Sequence, residues 1–73
     1  MNMPKSLIFA RYAGKAIASR DASIDRARIA TTADDRSWWA QAARRWNRIV
    51  LMNIGFARTT HAHEMQFGSK LWN

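Results

Sequence analysis

The chain has 73 residues and no cysteine, and its lysines and arginines number 12 against 5 aspartates and glutamates. One small domain spanning residues 1–73 is the most that this length supports, and neither a disulfide nor a thiolate metal site can brace it. Four tryptophans and 48% hydrophobic residues exclude a disordered basic tail, while the net charge of +7 selects anionic partners: nucleic acid, an acidic protein surface or acidic lipid headgroups.

At the amino terminus, Pro4 suits a first helical turn, where its missing N–H is not needed. Phe9, Tyr12, Ala13, Ala16, Ile17, Ile24 and Ala27 then recur on one side at helical spacing. Lys15, Asp25 and Arg26 fall opposite, with Arg11 nearby. Arg20 projects onto the apolar side, so a break near Ser19–Arg20–Asp21 is expected. Arg11 and Lys15 also interrupt any apolar core that a secretory signal would need.

Thr31–Asp35 is the clearest boundary. Thr32, followed three residues later by Asp35, resembles a capping box, and Asp34 and Asp35 favour the positive end of a helix. The helix that follows carries Trp38, Trp39, Ala42, Ala43, Trp46, Ile49, Val50, Asn53 and Ile54 within about half a turn at about 100° per residue. Gln41, Arg44, Arg45 and Arg48 lie on the other side, and Gly55 is the expected stop. Asn53, in the middle of the apolar stripe, calls for an interhelical hydrogen bond. A short helix from about His61 to Phe67 should follow, with Gly68 ending it and Leu71 and Trp72 folding back as an apolar anchor. The expected architecture is all-α: two antiparallel helices with a short third C-terminal helix.

The arginine side of the second helix is the most specific feature. From Ser37 to Arg58 there are four arginines and no acidic residue. Guanidinium groups bind phosphates bidentately, so Arg44, Arg45, Arg48 and Arg58 are candidates to track a nucleic-acid backbone, with Trp38 as an exposed aromatic beside them. The competing reading is a solvated helix face. Trp39 and Trp46 share a face with Ile49 and Val50, where a packed core or interface ranks ahead of base stacking.

His61, His63 and Glu64 could suggest a metal, but zinc takes three or four protein ligands and no third strong one lies nearby, so an incidental polar turn is the expectation. The scattered carboxylates and histidines suggest no catalytic constellation, and no cofactor motif is present.

Leu51-Met52-Asn53-Ile54-Gly55-Phe56-Ala57-Arg58 resembles the signature of the YjiS-like family of small arginine-rich bacterial proteins. Leu51, Ile54, Gly55, Phe56 and Arg58 match its pattern, and Arg44-Arg45-Trp46 is similar to its basic stretch. Asn53 replaces the family's aspartate, and the polar segment between the basic helix and the signature is missing. The resemblance implies a small bacterial regulatory protein, of a family some of whose members are linked to RNA, and it carries no catalytic residue.

The leading expectation is therefore a cytoplasmic, non-enzymatic regulator that binds nucleic acid, RNA ahead of duplex DNA. The alternative is an inhibitor or accessory subunit, of phage or bacterial origin, that docks a tryptophan and arginine surface on a larger acidic protein. A membrane-surface peptide ranks third, and self-association is a further way to support so small a fold.

Overall fold

In the computed structural model, residues 3–67 form two helices joined by a tight turn. Helix α1 runs Lys5–Ile29 and helix α2 runs Ala33–Phe67, and no strand occurs among the described residues. The body measures 55 × 19 × 10 Å, which is two helices wide and one helix thick. Its radius of gyration of 16.6 Å exceeds the roughly 11 Å of a compact chain of this length. It is a flat antiparallel hairpin with two open sides.

The helices meet along one seam with alternating three- and four-residue spacing. On α1 the seam is Ser6, Phe9, Ala13, Ala16, Arg20, Ser23 and Ala27. On α2 it is Ala40, Ala43, Asn47, Val50, Ile54 and Ala57, then Glu64 after a seven-residue step past the exposed His61. All of these seam residues are buried or half-buried, whereas their neighbours outside the seam are mostly exposed. A seven-residue repeat of this kind keeps one row of side chains facing a partner helix over its whole length. The row is dominated by small residues, and its buried hydrophobic members are Ala13, Ala16, Ala43 and Val50.

Both ends of α1 are closed by side chains of α2. At the open end of the hairpin, the buried Glu64 carboxylate accepts bonds from the Ser6 amide at 3.2 Å and the Ser6 hydroxyl at 2.7 Å. A carboxylate there satisfies an otherwise orphaned N–H and faces the positive end of the helix dipole. The first turn of α1 has no acidic residue of its own, so Glu64 fills that role from across the hairpin. At the turn end, Arg36 Nη2 donates to the Ala30 carbonyl at 3.3 Å. The Asp35 amide donates to Thr32 Oγ1 at 3.1 Å, so Thr32 caps α2 as its spacing suggests.

Several expectations are corrected. Helix α1 passes Ser19–Arg20–Asp21 without a break, because Arg20 is absorbed at the seam by Asn47. Helix α2 does not stop at Gly55, and residues 61–67, expected as a third helix, continue α2. Gly55 sits in open surroundings within the helix, where its only effect is a local loss of propensity. Asn53 makes no interhelical bond; its amide donates back to the Ile49 carbonyl at 2.9 Å, and Asn47 provides the interhelical contact instead. Gly68, Leu71 and Trp72 lie outside the described residues.

The tryptophans also sit differently from the expected stripe. Val50 is 3% exposed, but Trp46 and Ile49 are 37% and 39% exposed, and Trp39 is half-buried. The seam runs one step around the helix from the bulky side chains, through Ala40, Ala43 and Asn47. Trp39 is covered partly by Trp38, edge-on at 4.7 Å, and partly by the Arg26 guanidinium at 5.1 Å from its ring centroid. Arg26 therefore lies at the flank of the contact with α2 and does not point directly away from it.

Candidate polyanion-binding groove

Flanking the seam on one side is a shallow groove to which both helices contribute. Near the turn, a depression of 430 Å³ is lined by Ile24, Ala27, Arg28, Arg36, Ala40 and Ala43. It shares Ile24 and Ala43 with a second depression of 580 Å³, which adds Arg20, Arg44, Asn47 and Arg48. The floor is alanine and isoleucine, and the walls carry five arginines, Arg20 and Arg28 from α1 and Arg36, Arg44 and Arg48 from α2. An apolar floor beneath like charges focuses their field outward and favours an anion laid across them.

The arginines differ in how far they are already engaged. Arg20 Nη1 donates to Asn47 Oδ1 at 3.0 Å, and its Nε donates to Asp21 Oδ1 at 3.2 Å. That guanidinium is a fixed post that ties the helices together. Arg28 pairs with Asp25 at 3.7 Å with both side chains about three-quarters exposed, a contact of little energy in water. Arg36 uses one N–H on the Ala30 carbonyl and keeps the rest of its fork for a ligand. Arg44 and Arg48 have no hydrogen-bond or ion-pair partner among the described residues.

The groove gathers some of the sequence-predicted site residues and leaves others out. Arg44 and Arg48 line it. Arg58 lies fourteen residues, about four turns, beyond Arg44 and thus on the same side of α2, further toward the open end. Arg45 is one residue on from Arg44, about 100° around the helix, and belongs to the outer ridge. Trp38 is 57% exposed, as expected for an aromatic outside the packed contact, but it also lies outside the groove. Arg20, Arg28 and Arg36 are additions. The signal that could have found them is the seven-residue repeat, which puts Arg20 on the seam and Arg28 beside it.

The acidic residue near the open end has a structural role. Glu64 is committed to Ser6, with His61 Nδ1 4.0 Å away on the exposed side. Among the described residues no group of three or more histidine, cysteine, aspartate or glutamate side chains could hold a metal ion. No helix among them is long and apolar enough to cross a membrane.

Antiparallel helical hairpin is thus the class that the fold defines, with an arginine-walled groove as its most developed feature. No family model matches the chain, and comparison with curated proteins and with solved structures returns no match.

Proposed function

We propose that the protein binds the phosphate backbone of nucleic acid, RNA ahead of duplex DNA, along this groove and acts as a small regulator without catalysis of its own. The observation that carries the reading is the convergence of five arginines from two helices on one apolar-floored groove, three of them with no carboxylate partner. Guanidinium forks bind phosphates bidentately, and each contact releases bound counterions.

The width of the hairpin favours RNA. Its broad side measures 19 Å across, whereas a B-DNA major groove about 12 Å wide admits a single helix. Because the arginines line the junction of two helices, a face-on approach cannot insert them between DNA strands. A single strand or an RNA loop can lie along the junction instead. The similarity of Leu51–Arg58 to the YjiS-like signature points the same way, with Arg58 on the groove side of α2.

Nuclear magnetic resonance of the arginine Nε–Hε groups tests this site directly. Adding a short single-stranded RNA should shift the Arg36, Arg44 and Arg48 signals most and Arg11 least. Shifts concentrated on Arg11 and Arg45 would reject the groove. Binding confined to an acidic protein, with none to RNA, would turn the reading toward the accessory-subunit alternative.

A further inference from the structure

The side of the hairpin opposite the groove has no partner. A second row on α2, again spaced by three and four residues, runs Asp35, Trp39, Ala42, Trp46, Ile49, Asn53, Phe56, Thr60 and His63. From Trp39 to Thr60 it contains no charged residue. Trp46, Ile49 and Phe56 are 37%, 39% and 47% exposed, although they are among the bulkiest apolar side chains of the helix. Beside them on α1 are Phe9, 5.3 Å from the Phe56 ring, and Tyr12, 52% exposed. A helix with two adjacent apolar rows is built to touch two neighbours, and α1 supplies one of them.

We propose that the second neighbour is α2 of another copy, packed antiparallel about a two-fold axis near Ile49 to make a four-helix bundle. Size, charge and area support this occupant. The row is centred on Ile49, and reversing it brings bulky residues against small or polar ones. Phe56 falls level with Ala42 of the other copy, and Trp46 falls beside its Asn53. A two-fold contact requires a surface that complements itself in this way. The aromatic and aliphatic surface available comes to roughly 500 Å² per copy, at about 150–250 Å² for a whole aromatic side chain. Two copies then reach the about 1,000 Å² that a specific interface needs. The net charge of +7 opposes association of copies, whereas the row itself carries no charged residue from Trp39 to Thr60. The groove arginines stay outside the interface, so the dimer presents two grooves on opposite outer faces.

The absence of cysteine from the native chain makes the arrangement easy to test. Sedimentation equilibrium at up to ~100 µM should give twice the 8.4 kDa chain mass. Ile49→Glu should restore the single mass with helicity retained, since Ile49 lies outside the α1–α2 seam. Under mild oxidation, Ile49→Cys should cross-link to itself, and Ala42→Cys should cross-link to Phe56→Cys but not to itself. A monomeric wild type over this range, even one that takes up an unrelated protein, overturns the proposal. Self-cross-linking of Ala42→Cys as strong as that of Ile49→Cys overturns the antiparallel arrangement.

Discussion

The two open sides of the hairpin are made from the same two helices yet have opposite chemistry. On the groove side, Arg28, Arg36, Arg44 and Arg48 stand over an alanine and isoleucine floor. On the other side, Trp39, Trp46, Ile49 and Phe56 form an apolar row with Asn53 within it. The seam between them is narrow and built largely from alanine and serine. In a layer only one helix thick, residues that would be core in a larger domain become surfaces, and the order of residues around each helix decides which kind of surface each side becomes.

If the seam alone holds the hairpin together, overpacking it should have the largest effect on stability. Ala16 is 2% exposed, and Ala16→Leu should cost about 1–3 kcal/mol in a urea melt followed by circular dichroism. With so few buried hydrophobic residues, that loss should leave much of the population unfolded. Trp46→Ala should cost less than the about 3–5 kcal/mol of a fully buried tryptophan, because more than a third of it is already exposed. A reversed ranking would mean that the aromatic side is the true core.

A smaller effect is expected where α2 begins. Thr32→Ala removes the acceptor of the Asp35 amide and should lower stability by about 1 kcal/mol in the same melt. Smaller still, and opposite in sign, is Gly55→Ala. Apart from the adjoining residues and the helix's own backbone, no atom lies within 4 Å of the added methyl position, so the change should stabilise the protein by up to about 1 kcal/mol through helix propensity. Were Gly55 a left-handed helix stop, as its position in the sequence suggests, alanine there would destabilise it instead.

These contrasts show what could be read from the sequence. The helical class, the Thr32 cap, the exposure of Trp38 and the outward direction of Arg44 and Arg48 follow from local spacing, and the structure agrees with each. The seam on α2 was not legible because periodicity weighted by hydrophobicity finds the largest apolar side chains. Helix contact here selected the smaller residues next to them. Asn47 reads as polar surface until Arg20 is placed opposite it, and Glu64 reads as part of a polar turn until Ser6 is. Both pairings span tens of residues, which no local pattern encodes. Gly55 misled because its stop signal depends on a backbone conformation that the continuing helix overrides. The groove arginines of α1 were hidden for the same reason as the seam, since they become neighbours of Arg36 and Arg44 only once the register of the two helices is set.

The claim that the two sides differ in what they bind is tested most directly by salt titration of single-stranded RNA binding. Wild type, the Arg36→Gln/Arg44→Gln/Arg48→Gln variant and Ile49→Glu should be compared at equal helicity. Three lost phosphate contacts should reduce the slope of log affinity against log salt by about two units, at about 0.7 per contact on a single strand. Ile49→Glu, which alters only the aromatic side, should leave the slope per bound chain unchanged. A wild-type protein with no measurable RNA affinity at low salt, or a triple variant with an undiminished slope, would contradict the assignment of the groove as the binding side.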